Sequence, residues 1–384
     1  MTTAIQNVRI FNGDQKLIEN GSILFDENGV LEVTEGQLAG DINIDGSGKT
    51  VTPGLMDSHV HLGADQAPDV KTDVALMAYQ VHKLFSYGIT TVRNAFNANN
   101  TDVFLRDLIS SGKIEGCRIV AAGRGFSITG GGAEGSYEVD TPDEMRKMVR
   151  RQIKCNSDFI KLGATGGMTG KRSVPGAPLL NEEMMRVAVE EARRTGRFVM
   201  VHATNESNET AQSAARAGVR SIEHVQMNEE TARLMKENGV YYCPTIATRY
   251  LIVHNTRPEF MYMTNKAKPG DLDRKKAAIQ LCLKHGVPIA AGSDANDNHG
   301  LVKIGTSFQT ELQIYVEYGM TPMQVLQSAT KIAAEMMAID EEVGTLKPGK
   351  AADIAVFNGN PLKNIKDIEK VSMTFHNGKM VYQA

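Results

Sequence analysis

Eight short apolar runs alternate with amphipathic helical patterns, and β-rich segments flank them at both ends. These observations predict an α/β protein, a (β/α)8 TIM barrel joined to a small β-sandwich built from both termini. Residues 1–52 and 345–384 form the sandwich in this reading, and residues 53–344 the barrel. With 384 residues, 41% of them hydrophobic, the chain can fill one large core and one small one.

At the N-terminal end, AIQNVRIFNGD, GSILFDENGVLEV and DINIDGSG are short alternating runs with Asn-Gly, Asn-Gly and Asp-Gly turn signals. The middle supplies the candidate strands TPGLMDSH, TTVRNA, RIVAAG, FIKLG, FVMVHA, SIEHV, VYYCPT and PIAAGSDA. Helical patterns such as EEMMRVAVEEARRTG and NEETARLMKENG lie between them and stop on Gly, a common helix end. The near-continuous apolar FIK and FVM runs suit parallel strands covered on both faces. An open doubly wound sheet is the alternative. ADIAVFNGNP and VSMTFHNGKMVYQ close the chain as strands with turn dipeptides.

Ligand-type residues fall at the ends of these strands. His59 and His61 end the first, Lys161 lies near the end of the fourth, His202 ends the fifth, His224 the sixth and Asp294 the eighth. In a barrel those ends converge on one mouth. Taken singly, each has an ordinary role. HxH occurs in loops, His202 and His224 suit hydrogen-bonded core positions, and Asp294 suits a turn. Taken together, four histidines and an aspartate at one end predict a metal site, with both imidazoles of the HVH strand on one face. Imidazole and carboxylate without thiolate favour zinc, with manganese, cobalt or iron as alternatives. His82, His254, His285 and His376 read as structural or solvated; His299, on the loop after the eighth strand, could touch substrate.

Composition excludes other classes. Lys+Arg number 42 and Asp+Glu 45, a net charge of −3 with no basic stripe, which argues against nucleic acid or anionic membranes as partners. Cys117, Cys155, Cys243 and Cys282 form no CxxC and read as reduced thiols of a cytoplasmic protein. No signal peptide is visible, and no apolar run approaches the roughly 20 residues of a membrane span. A homo-oligomer acting on a small molecule is expected.

Lys161 is the anomaly. An ammonium group among Ile160 and Leu162 can donate no lone pair and would repel a cation. It fits if its amine reacts with carbon dioxide, because a carbamate is an anion with two oxygens. The alternative is a buried stem whose head snorkels to the loop.

VTPGLMDSHVHLG, FIKLGATGG, VHA, SIEHV and AGSDA resemble the signature segments of the amidohydrolase superfamily. TPMQVLQSATKIAAEMMAIDEEVGTLKPGKAADIAVFNGNPL resembles its closing helix and returning strands, so the likeness covers nearly the whole chain. It is similar to the branch of cytosolic prolidases, Xaa-Arg/Lys carboxypeptidases and imidazolonepropionase-related proteins. Imidazolonepropionase uses one metal and lacks the strand-four lysine, so Lys161 points to the two-metal members. The resemblance implies two divalent ions: one on His59, His61 and Asp294, the other on His202 and His224. Carboxylated Lys161 and a hydroxide would bridge them. It implies that Asp294 serves as general base and then general acid.

Two places depart from that pattern. Relatives carry a histidine after the third strand, where this chain has Gly132 in SITGGGAEG; backbone N–H groups or a different substrate would compensate. The place where relatives meet a substrate carboxylate falls on Arg249 or Tyr250, in CPTIATRYLIVHN, and a guanidinium grips a carboxylate well. A surface arginine is the other reading of Arg249. The Gly- and Pro-rich segment 164–181 is expected to line the mouth. The leading function is hydrolysis of an amide bond in a dipeptide or N-acyl amino acid. The alternatives are a cyclic amidase or deaminase, and a lactonase- or phosphotriesterase-like ester hydrolase.

Overall fold

The Asn-Gly dipeptides at 12–13, 28–29 and 377–378 turn hairpins of a single sheet, whereas Asp45–Gly46 links two segments that both run parallel to Thr3–Phe11. The computed structural model describes residues 1–63, 70–132, 135–168, 173–297 and 300–384. Strand order in that sheet is Lys379–Gln383, Val371–His376, Ile354–Asn358, Lys49–Pro53, Thr3–Phe11, Leu17–Asp26 and Gly29–Thr34, with Ile42–Asp45 also paired to Thr3–Phe11. The termini join where Ile354–Asn358 runs antiparallel to Lys49–Pro53, with Val356 opposite Val51. The ladder is one continuous eight-stranded sheet rather than two separate ones. Phe25 and Phe375 lie four strands apart in it, about 19 Å if the sheet were flat. Their rings nevertheless meet edge-on at 5.0 Å. The sheet therefore folds back on itself and encloses Ile5, Ile10, Ile23, Val51, Ile354 and Val356.

Seven barrel strands follow as expected: Leu55–Val60, Ile89–Asn94, Arg118–Ala121, Phe159–Gly163, Phe198–His202, Ser221–Glu223 and Tyr241–Cys243. Each ladder among them is parallel. The ring is not one unbroken ladder. Between the third and fourth strands the short pair Phe126–Ser127 and Tyr137–Glu138 inserts, with Phe126 beside Leu162. There the end of the third strand meets the entry to the fourth through paired bonds, Asp158 N–H to the Ala121 carbonyl (2.8 Å) and Ala121 N–H to Asp158 Oδ2 (2.7 Å). The eighth run forms no regular strand among the described residues. Its bonds nonetheless reach both neighbours: Ala290 N–H to the Tyr242 carbonyl (2.9 Å) and Ser58 N–H to the Ala291 carbonyl (2.8 Å).

Helices cover the outside. Asn181 caps Glu182–Arg193 by accepting from the Met184 N–H, and Asn228 caps Glu229–Glu237 the same way through Thr231. One end of the barrel is apolar: Met56, Val120, Phe159, Met200 and Ala290 pack with Met336 and Met337 of helix Lys331–Met337. That stopper leaves the opposite end, where the strands finish, for polar groups.

The hairpin turn Asn377–Gly378 uses left-handed backbone, with Gly378 at φ +73°. A Cβ there would overlap the Asp26 carbonyl oxygen of the N-terminal hairpin. Backbone cannot step aside, so Gly378→Ala is expected to lower unfolding free energy by about 1–3 kcal/mol. Denaturant titration checks this; an unchanged midpoint would mean that the two termini do not depend on this contact.

Candidate metal centre

The site starts from a carboxylate that no solvent reaches. Glu223, at the end of the sixth strand, has 0% exposure, as does Arg93 of the second strand. Arg93 places one terminal nitrogen 2.9 and 3.0 Å from the two Glu223 oxygens. The same guanidinium donates to the Ser58 carbonyl (2.6 Å) and to Ser221 Oγ (2.9 Å). Burial alone would raise the Glu223 pKa; the Arg93 charge and the His59 hydrogen bond outweigh it and bring it down to about 2. Glu223 is therefore ionised and can only accept. The His59 Nδ1 lies 2.9 Å from Glu223 Oε2, so it carries the hydrogen, and Nε2 keeps its lone pair.

That lone pair faces the barrel mouth. His59 Nε2 lies 3.3 Å and His61 Nε2 3.1 Å from Asp294 Oδ1. Asp294 stands in left-handed backbone at φ +55°, its N–H bound to the His59 carbonyl at 2.7 Å. Behind it Asp57, fully buried, accepts from the Ser293 N–H (2.9 Å) and Ser293 Oγ (2.5 Å), which ties the eighth run to the first strand. Burial pushes the Asp57 carboxyl up to about 7.

His224 also occupies left-handed backbone, at φ +70°. Its Nδ1 lies 2.6 Å from Thr245 Oγ1, whose own hydrogen goes to the Pro244 carbonyl (2.8 Å). The hydroxyl must therefore accept from Nδ1–H, and His224 Nε2 is left as a base. The His224 ring stands 4.8 Å from that of His59 and 4.6 Å from that of His202. Burial, with the nearby Lys161 charge, lowers His59 to about 4 and His202 to about 3. Burial drives His224 well below its ordinary value as well. These imidazoles are neutral at pH 7.

Lys161 is 7% exposed, with Nζ 3.9 Å from Met200 Sδ, and among the described residues it has no ion pair. Burial lowers its pKa to about 8 although Glu223 and Asp294 pull the other way. Its charge acts on His59, His202, His224 and Asp294, so the six residues read as ligands from the sequence share one neighbourhood.

A cation fits this donor set. His59 Nε2 and His202 Nε2 are buried without a hydrogen-bond partner. The His59 lone pair opposes a carboxylate oxygen at 3.3 Å with no hydrogen between them, an arrangement a positive ion would turn from repulsive to attractive. His59, His224 and Asp294 each offer an atom within 4.8 Å of the others.

The expected substrate groups fare differently. Arg249 is not a surface arginine: it is 4% exposed, donating to Asp271 Oδ2 (2.8 Å) and Asn205 Oδ1 (2.7 Å). Helix Ile246–Val253 rests its first N–H groups on the buried Glu311 carboxylate, which turns Arg249 inward. Tyr250 points out, 36% exposed and against the His254 ring at 4.3 Å. Gly132 has φ +73°, and a Cβ would lie 2.6 Å from Ser127 Cβ, so no side chain fits there without movement. His299 lies outside the described residues. The segment after the fourth strand crosses the mouth: a Cβ on Gly167 would lie 3.4 Å from His202 Nε2.

Sequence reading missed Glu223, Arg93, Asp57 and Thr245. One signal was present: Arg93 breaks an apolar run in TTVRNA just as Lys161 breaks FIKLG.

Residues 50–381 match the Amidohydrolase family. The chain belongs to that family. Its members are hydrolytic enzymes that act on small molecules and generally bind divalent metals. The chain is 30% identical to ochratoxinase of Aspergillus niger over 367 residues, 84% of this chain and 73% of that one. The solved structure of a Xaa-Pro dipeptidase with bound methionine covers both chains fully, at 31% identity and a TM-score of 0.88. A prolidase complexed with N-methylphosphonate-L-proline does the same at 25% identity and a TM-score of 0.87. The fold is thus the family's barrel with a separate β domain. No helix among the described residues is long and apolar enough to cross a membrane.

Glu223→Gln keeps the shape but leaves Arg93 buried without its counter-charge. The metal-free protein is expected to lose about 3–5 kcal/mol of stability by denaturant unfolding.

Proposed function

We propose that this amidohydrolase cleaves the amide bond of a small carboxylate-bearing substrate, a dipeptide or an N-acyl amino acid, using two divalent ions, zinc foremost. The observation that carries this is the pair of buried, unpartnered Nε2 atoms on His59 and His202, converging with His224, Asp294 and Lys161. In this reading His59, His61 and Asp294 would hold one ion and His202 and His224 the other, with carboxylated Lys161 as a further anionic ligand. Carbon dioxide adds only to a neutral amine, and burial, by lowering Lys161 to about 8, makes that form accessible near neutral pH. When bound, the ions would acidify a water and polarise the scissile carbonyl.

The chain's own groups complete the chemistry. Asp294 Oδ1 stands 3.3 Å from His59 Nε2 and 3.1 Å from His61 Nε2, at the mouth where the water would sit, and its carboxylate is the group placed to accept a proton. It takes that proton from the attacking water and passes it to the leaving nitrogen. Arg249, made rigid by Asp271 and Asn205, supplies positive charge for the substrate carboxylate. With Gly132 in place of a histidine, carbonyl orientation rests on backbone N–H groups of that loop. The relatives named ochratoxinase, Xaa-Pro dipeptidase and prolidase support an amide over an ester or heterocycle. The chemistry belongs to 53–344, and 1–52 with 345–384 form the smaller unit. Four unpaired cysteines favour the cytoplasm.

Metal analysis with a screen of dipeptides, N-acyl amino acids, lactones and cyclic amides tests the proposal. Two zinc ions per chain and turnover of linear amides are expected; near one ion per chain, or turnover confined to lactones or cyclic amides, would replace it. Asp294→Asn is expected to retain metal while kcat falls about 10²–10⁴-fold. Near wild-type kcat would remove Asp294 from the proton path.

A further inference from the structure

Lys275 is a buried cation outside the ligand set. It lies on helix Asp271–His285, is 1% exposed, and donates from Nζ to two carbonyl oxygens, those of His224 and Pro244, each at 2.6 Å. Both carbonyls belong to distorted strand ends. His224 itself is left-handed, and Thr245, directly after Pro244, is left-handed at φ +50°. Non-glycine residues in that conformation are strained and persist only where their surroundings enforce them. Such turns also direct their carbonyls out of the sheet ladder, where an unpaired buried oxygen is costly.

The contacts form a closed ring. His224 Nδ1–H donates to Thr245 Oγ1, Thr245 Oγ1–H donates to the Pro244 carbonyl, and Lys275 binds that carbonyl together with the carbonyl of His224. One side chain thus closes the ends of the sixth and seventh strands around a single histidine. The ring fixes the His224 backbone, its ring rotation and its tautomer at once.

We infer that Lys275 and Thr245 are positioning residues that hold His224 Nε2 aimed into the site. The inference rests on the reading of His224 as a metal ligand. Neither group touches substrate, and two N–H donors suffice, so the ring needs no particular charge on Lys275. Loss of a partner that orients a ligating histidine typically weakens metal binding by about 10–100-fold.

The full-length protein, stripped of metal and carrying 15N-labelled histidine, reports the ring directly. Wild type is expected to show a His224 Nδ1–H signal, assigned by its loss in His224→Asn. Thr245→Val should abolish that signal, Thr245→Ser should restore it, and Lys275→Met should make it exchange faster with water. In zinc titrations, Thr245→Val and Lys275→Met should weaken the second ion by about 10–100-fold and leave the first unchanged, with Thr245→Ser close to wild type. Should Lys275→Met fail to fold, Thr245→Val decides, since it opens the same ring without disturbing the amine. A retained Nδ1–H signal with unchanged second-zinc affinity in the variants overturns the inference. A wild type that binds one zinc or none contradicts the two-metal reading instead, while the Nδ1–H signals still decide the ring.

Discussion

Glu223 cannot exchange its partners for water, and the rest of the site is arranged around that fact. A carboxylate moved into the protein interior loses several kcal/mol of hydration, and only close, fully used charge and hydrogen-bond partners offset it. Arg93, Ser221 and His59 together occupy its oxygens. These groups come from the first, second and sixth strands, so the same interaction that satisfies the carboxylate also sets those strands' positions around the barrel. Its chemical consequence is the tautomer of His59, and with it the lone pair that faces Asp294.

The barrel separates two jobs by height. At the end plugged by Met336 and Met337 the layer is apolar and contributes packing. At the other end the strands finish in left-handed residues, His224, Thr245 and Asp294. A strand that ended in ordinary extended backbone would continue its alternation. These turns break it and direct a ring, a hydroxyl and a carboxylate toward one volume. The strain is carried by backbone contacts such as the Asp294 N–H to the His59 carbonyl. Stability from the apolar layer supports a polar layer that would not fold alone.

Much of this was legible in the sequence. Strand ends rich in His and Asp identify the mouth because barrel topology brings them together whatever their spacing. Both termini showed their strands through Asn-Gly turns. Other features depend on partners far apart in the chain. Arg249 looks like a free clamp until Asp271 and Asn205 are seen to hold it. Glu223 is hidden by its neighbour, since a Glu beside a His in SIEH reads as an ordinary charged residue until its 0% exposure and its pairing with Arg93 are known. The eighth run reads as a strand from its composition, yet its pairing is local and partial, because it must turn early to present Asp294. A continuous sheet that folds over itself has the same strand pattern as a sandwich; the unbroken ladder distinguishes them, and the Phe25–Phe375 contact shows the fold-over.

The central claim is that a buried lysine enters this site as an anion. Lys161 has no carboxylate partner among the described residues, has its pKa lowered by burial to about 8, and stands among bases whose lone pairs need a cation. The most direct measurement is carbon NMR of the zinc-loaded protein prepared in 13C-bicarbonate. A carbamate carbon that is present in wild type and missing in Lys161→Ala is the predicted result. A fully active, zinc-loaded wild type with no such carbon would contradict it.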